Sequence, residues 1–234
     1  MTGLLASVAN TREATVAIAG GADIIDLKEP ASGALGAVSP ATQKAVVRLV
    51  AKRRLVSATV GNLPMEAKIL SRAIESTART GVDIIKVGLP HLEQHRHCLK
   101  ALSGGAEYGV RIVAVLFAEH RPYLHLLDEL ADAGCFGVML DTADKSAGSL
   151  CSFIDRSSLA IFVRYARGLG LSSGLAGSLT TEDIVPLLAL DPDYLGFRGT
   201  LCEAGTRTAE LSPQALARVR ERFNNAGNTS RRAV

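Results

Sequence analysis

Gly21-Ala22-Asp23-Ile24-Ile25-Asp26-Leu27-Lys28 is the stretch whose reading decides the fold. A glycine ends a helix in the left-handed conformation, a short apolar run follows, and a charged residue stands at the far end of that run. The same order returns in Gly81-Val82-Asp83-Ile84-Ile85-Lys86-Val87-Gly88, and more loosely in Gly134-Cys135-Phe136-Gly137-Val138-Met139-Leu140-Asp141. Each is the entry of a helix into a buried strand. Outward from these, apolar runs at 4–8, 23–27, 55–60, 84–87, 110–116, 136–140, 169–172 and 194–197 read as strands. Helical patterns lie between them at 11–19, from Ser39-Pro40 onward, 64–81, 92–102, 122–133, 150–167, 181–190 and 213–223. Ser39 is a good N-cap and Pro40 suits the first helical position.

Alternating strands and helices imply parallel pairing with right-handed crossovers. Eight such units without a linker fit a (β/α)₈ TIM barrel, an α/β single domain over 1–223, followed by a basic, flexible tail over 224–234. The rival architecture, an open doubly wound sheet, would place a glycine-rich phosphate turn after the first strand; Ser7-Val8-Ala9-Asn10-Thr11 has none.

Composition narrows the function classes. The 234 residues are 47% hydrophobic with a net charge of +3, so the chain can bury a large core and most of it is not disordered. Aromatics make up 4%, Trp is absent, and no basic face with interleaved aromatics appears, which argues against nucleic-acid binding. Cys98, Cys135, Cys151 and Cys202 are scattered, with neither zinc-knuckle nor disulfide spacing. No apolar run approaches membrane-spanning length and no signal segment is visible, so a reducing cytoplasm is the expected compartment.

Reacting groups of a barrel sit at the C-terminal ends of its strands. Lys28, Lys86 and Asp141 end strands two, four and six, and inward residues of alternate strands share a layer. Strand parity puts Ile24, Asp26 and Lys28 on one face and Ile25 and Leu27 on the other; Ile84 and Lys86 follow the inward set. A lysine just past a strand is usually a surface residue. Two lysines after matched Asp-Ile-Ile runs weaken that ordinary reading. Neighbouring amines disfavour protonation, so at least one pKa is expected to fall, and a neutral amine attacks a carbonyl to give a Schiff base. Asp26 and Asp141 can balance charge or shuttle protons, and Lys145 lies on the same rim.

Two glycine-rich segments follow strands seven and eight, where barrels commonly bind phosphate. Gly174, Gly177, Ser178, Arg198, Gly199 and Thr200 are the expected phosphate-binding residues. The loop at 29–38 is long for its place, as lids are. His91 and His95 have a metal-pair spacing, but Glu93 stands wrongly for a zinc protease helix, so they and His97 read as a solvated helix start. His120 is a spare acid–base candidate.

Assembled, these residues make the chain resemble the (5-formylfuran-3-yl)methyl phosphate synthase family. The similarity is carried by Gly20 to Lys28 with Pro30, Gly33, Leu35, Gly36 and Ala37, by Asp83 to Gly88, and by Leu140 to Lys145. The resemblance implies a (β/α)₈ barrel that condenses two glyceraldehyde 3-phosphate molecules into 4-(hydroxymethyl)-2-furancarboxaldehyde phosphate. One phosphate and two waters are lost, and the product supplies the furan of methanofuran. It implies Schiff-base formation at Lys28, proton acceptance at Lys86, and Asp26, Asp141 and Lys145 in the same site; none of the five departs from the family pattern. No metal or other cofactor is expected. Rival functions are another Schiff-base barrel enzyme, of the class I aldolase or pyridoxal- or thiazole-phosphate synthase kind, and a catalytically silent phosphosugar-binding barrel. Barrels often assemble through their outer helices, so a homo-oligomer is expected.

Overall fold

A computed structural model describes residues 1–91, 96–120 and 124–232. Eight parallel strands close into a barrel in the order of the sequence, β1 Gly3–Val8, β2 Ile24–Leu27, β3 Leu55–Thr59, β4 Ile84–Gly88, β5 Arg111–Phe117, β6 Gly137–Asp141, β7 Ser172–Leu175 and β8 Tyr194–Phe197, with β8 pairing back onto β1. The intervening helices are α1 Thr11–Ala19, α2 Pro40–Val50, α3 Ala67–Ala78, α4 Leu99–Leu102, α5 Gly104–Glu107, α6 Leu126–Asp132, α7 Leu150–Phe153, α8 Arg156–Gly168, α9 Ile184–Leu188 and α10 Pro213–Arg232. The barrel and its single-domain build are as the alternation of units implied.

Parity along the strands decides what faces where. Ile24, Ile84, Val113, Val115, Met139 and Tyr194 fill the lumen, while Ile25, Leu27, Ile85, Val87 and Ala114 pack outward on the helices. The inward places nearest the C-terminal mouth carry polar groups instead. Register sets Asp26 beside Ser7 and Ser57, Lys86 beside Thr59 and Val113, and Asp141 beside Phe117.

Capping fixes two helix starts, the one at Ser39 as the sequence suggested. Asn10 accepts from the Glu13 amide at 3.0 Å and Ser39 from the Thr42 amide at 3.1 Å. Elsewhere the boundaries differ. The helix expected over 150–167 is two, because Ile154 is extended and Asp155 opens α8 as a new N-cap. The last helix runs beyond Phe223 to Arg232. The seventh strand starts at Ser172, not at Leu169. Leu169 still belongs to the end of α8, its amide bonded to the Tyr165 carbonyl, and Gly170 turns at φ +73 before the strand begins. Gly170 thus repeats the helix-ending glycine of positions 21, 81 and 134, whose φ values are +79, +89 and +78.

The long connection after β2 is folded over one side of the mouth. Leu35 is buried among Ile84, Val113, Val115 and Phe117 of the lumen. The Gly36 carbonyl accepts from the Glu29 amide at 2.8 Å and from Thr59 Oγ1 at 2.9 Å. In this structure the loop is a seated plug over strands two to five, which leaves the opening on the side of strands six, seven, eight and one.

Candidate active site

That opening is a cavity of about 760 Å³, floored by Lys28, Lys86, Met139 and Asp141 and walled by the segments after β7 and β8. Both lysines are almost wholly enclosed: Lys28 is 6% exposed and Lys86 2%. Burying an ammonium is costly unless a carboxylate meets it. Here two carboxylates do, each the hub of its own network.

Asp26 is the deeper hub. It accepts from Lys86 Nζ at 2.6 Å, Ser7 Oγ at 2.8 Å and Ser57 Oγ at 2.6 Å. Asp141 is the outer one. It takes the Thr142 amide at 2.8 Å, Lys28 Nζ at 3.5 Å and a short contact from Lys145 Nζ. Lys145 also donates to the Thr142 carbonyl at 2.5 Å and to Thr142 Oγ1 at 3.0 Å. Lys28, Lys86, Asp26, Asp141 and Lys145 therefore converge, three lysines around two aspartates at the floor.

Electrostatics follow from this packing. Burial drives the Lys86 amine below the ordinary lysine range; Asp26 opposes the fall, and Lys28 adds to it. Lys145 is lowered in the same way, by burial first, with Asp141 opposing. Burial alone would raise the Asp141 carboxyl. The charges of Lys28 and Lys145 outweigh it and hold the group at about 2. Asp141 thus stays ionised while the Lys86 and Lys145 amines are pushed toward neutrality.

The residues expected to hold phosphate divide. Gly177, Ser178, Arg198, Gly199 and Thr200 line the cavity. Gly174 does not: it lies inside β7, where a Cβ would stand 2.2 Å from the Tyr194 ring. Its lack of a side chain makes room for that ring. Arg198 faces away from the role of a phosphate ligand. Its Nε donates to the Arg207 carbonyl at 2.8 Å, Nη1 to the Ser7 carbonyl at 3.1 Å and Glu13 Oε2 at 2.5 Å, and Nη2 to Glu13 Oε1 at 3.1 Å and the Ala209 carbonyl at 2.9 Å. All five N–H groups of the guanidinium are engaged within the protein. The Thr200 hydroxyl is likewise bonded to the Leu179 carbonyl.

Four residues of the site escaped sequence reading. Ser7 and Ser57 are inward polar residues in apolar strands, and the parity that placed Asp26 would have placed them had the neighbouring registers been drawn. Glu119 Oε1 accepts from the Ala143 and Asp144 amides at 2.7 and 3.1 Å, fixing the turn that carries Lys145. Arg207 lines the cavity from the loop after β8, a loop with no periodic signal. Of the histidines, His91 stacks on His120 with ring centroids 3.8 Å apart, and His97 Nε2 donates to the Met65 carbonyl at 3.1 Å. Glu93 and His95 lie outside the described residues. Among the described residues no group of three His, Cys, Asp or Glu side chains is placed to hold a metal, and no helix is long and apolar enough to cross a membrane.

A closed parallel barrel with buried lysines and aspartates at its C-terminal mouth defines a TIM-barrel enzyme. Solved structures agree on the fold. Phosphoribosyl anthranilate isomerase from Thermus thermophilus superposes with a TM-score of 0.68 at 15% identity, covering 96% of this chain and 98% of that one. A 3-hexulose-6-phosphate synthase gives 0.64 at 16%, covering 93% and 99%. The sequence is more specific. A family model described as 4-HFC-P synthase matches residues 4–220. The (5-formylfuran-3-yl)methyl phosphate synthase of Methanothermobacter thermautotrophicus is 36% identical over 229 residues, 93% of this chain and 97% of that protein. That of Methanocaldococcus jannaschii is 38% identical over 217 residues, 87% and 92%. A Methylorubrum extorquens relative, provisionally given the same name, is 41% identical over 218 residues, 93% and 90%. The chain belongs to the 4-HFC-P synthase family.

Proposed function

We propose that this enzyme condenses two glyceraldehyde 3-phosphate molecules through an iminium at Lys28 into 4-(hydroxymethyl)-2-furancarboxaldehyde phosphate, as a step toward the furan of methanofuran-type cofactors. One observation carries the reading: two enclosed lysines share the cavity floor with two carboxylates, Lys86 on Asp26 and Lys28 on Asp141, of which Asp141 keeps its charge. Lys28 Nζ is held at the longer distance, 3.5 Å from Asp141, whereas Lys86 is clamped 2.6 Å from Asp26. The looser amine lines the cavity and is the one free to form a bond to carbon.

Lys28 adds to the aldehyde carbon and water leaves, giving the iminium. The positive nitrogen draws electrons, so the proton on the middle carbon becomes acidic, and Lys86 takes it as a neutral amine. The electron pair of that C–H bond forms the enamine and then displaces phosphate from the third carbon. The resulting three-carbon unit carries an enol whose terminal carbon attacks the carbonyl of the second triose. In the product the retained CH₂–O–phosphate group sits on a ring carbon, so the new bond falls on the middle carbon of the second triose, which reacts as its ketone isomer. That isomerisation moves one proton between adjacent carbons, a task for the same amine. Ring closure, loss of two waters and hydrolysis of the iminium release the furan and free Lys28. Atoms balance, and no external oxidant or reductant enters.

Incubation with glyceraldehyde 3-phosphate, followed by product identification, tests the overall reaction. Furan and inorganic phosphate are expected in equal amounts, with a new ultraviolet band from the furan aldehyde. Cleavage or aldol products without that band would favour an aldolase-type barrel. Borohydride added during turnover is expected to attach mass to Lys28. Lys86→Ala is expected to retain the adduct and form no product. A Lys28→Ala enzyme with full turnover would refute the scheme.

A further inference from the structure

We infer that Arg207 is a phosphate-recognition residue, the cation that holds the phosphate of the triose joined to Lys28 and receives it as it leaves. The inference rests on the reaction just proposed, in which two phosphorylated trioses enter and one phosphate departs.

The enclosed cations around the cavity are otherwise committed, and Arg218, which also lines it from α10, is exposed. Lys86 is paired with Asp26, Lys28 and Lys145 share Asp141, and Arg198 is locked onto Glu13. Arg207 is half-buried in the cavity wall, and among the described residues no carboxylate lies within ion-pair distance of it. Its guanidinium donates one N–H, from Nη2 to the Gly33 carbonyl at 3.1 Å. Four N–H groups of a planar fork remain, the geometry that suits a phosphate.

Its position selects which phosphate. The backbone of Arg207 packs beside Gly199, after β8, yet its side chain reaches the loop that follows Lys28 across the mouth. Arg198 fixes this reach by binding the carbonyl of Arg207 and that of Ala209. Burial lowers the guanidinium pKa of Arg207; Asp141, which partners both Lys28 and Lys145, opposes the fall, and Arg198 adds to it. Arg207 therefore lines the cavity that holds Lys28 and reaches the loop that follows that lysine. The backbone edge at Gly177, Ser178 and Gly199 lies along β7 and β8 and is left for the phosphate that is retained. A departing phosphate gains negative charge as its C–O bond breaks, and a fixed cation over it lowers that barrier.

Borohydride trapping of glyceraldehyde 3-phosphate and of unphosphorylated glyceraldehyde at Lys28 separates recognition from folding. Arg207→Ala is expected to raise the glyceraldehyde 3-phosphate concentration for half-trapping by about tenfold or more, while glyceraldehyde trapping is unchanged. Arg207→Lys should fall between. Equal loss for both compounds, or no change for either, would overturn the inference and leave Arg207 as a strap between loops. Binding of inorganic phosphate, followed by titration calorimetry, reads the same residue without the covalent step. An isotherm that Arg207→Ala leaves unaltered also overturns it. Should wild-type protein give no adduct while the variant still loses phosphate binding, the Schiff-base reading fails and the assignment of Arg207 stands.

Discussion

Asp26 accepts three hydrogen bonds at once, and this saturation defines its work. A carboxylate so held cannot swing toward substrate; it positions Lys86 and tunes its proton affinity. Burial and Lys28 lower the Lys86 pKa, and Asp26 raises it. Asp26→Asn removes the raising charge with little change of shape, so Lys86 should lose its proton at still lower pH. If Lys86 acts as a neutral base, the acid limb of the kcat profile is expected to move to lower pH in this variant. A limb that stays in place, or moves up, would show that Lys86 is not the base. Lys28, Asp26, Lys86 and Asp141 were legible because period-two parity and strand-end position are local properties of sequence. Ser7 and Ser57 were less visible, since a serine in a strand says nothing until the register brings an aspartate beside it.

Elements were read well where glycine and apolar runs agree, and poorly where they compete. Leu169 and Leu171 look like strand residues, but the first caps a helix and the turn at Gly170 places the strand three residues later. The shift moves Gly174 from a loop into the barrel wall against Tyr194. Gly174→Ala would press a methyl group into the ring, and overpacking of this kind costs about 1–3 kcal/mol. The expected outcome is a lower melting temperature with the KM for triose phosphate unchanged in the protein that remains folded. A raised KM at unchanged stability would return Gly174 to the phosphate site. The loop after β2 carries the same lesson. Its length reads as a lid, but only packing shows Leu35 seated among lumen residues, where it closes off one side of the lysine floor.

Closure of the whole molecule depends on the two ends of the chain. The pairing of β8 onto β1 is reinforced by the Arg198–Glu13 ion pair, 185 residues apart in sequence, with side chains 8% and 5% exposed. Glu13 also accepts the Ala9 amide at 2.7 Å, so the pair ties the start of α1, the end of β1 and the loop after β8 into one unit. Eight repeated units announce a barrel locally, whereas a contact between first and last unit leaves no trace in a single sequence; Arg198 could only be judged by its glycine-rich surroundings. Removing one partner strands a buried charge, at a cost of about 3–5 kcal/mol. Glu13→Gln and Arg198→Met should each lower the denaturant midpoint, and the double variant should be far less destabilised than the sum, because neither charge is then left alone. A phosphate ligand behaves otherwise: Arg198→Met would raise the KM for triose phosphate and leave the midpoint unmoved, with additive effects in the double variant. Measured midpoints for the cycle therefore decide whether Arg198 closes the barrel or serves the substrate, and the five hydrogen bonds it makes within the protein favour closure.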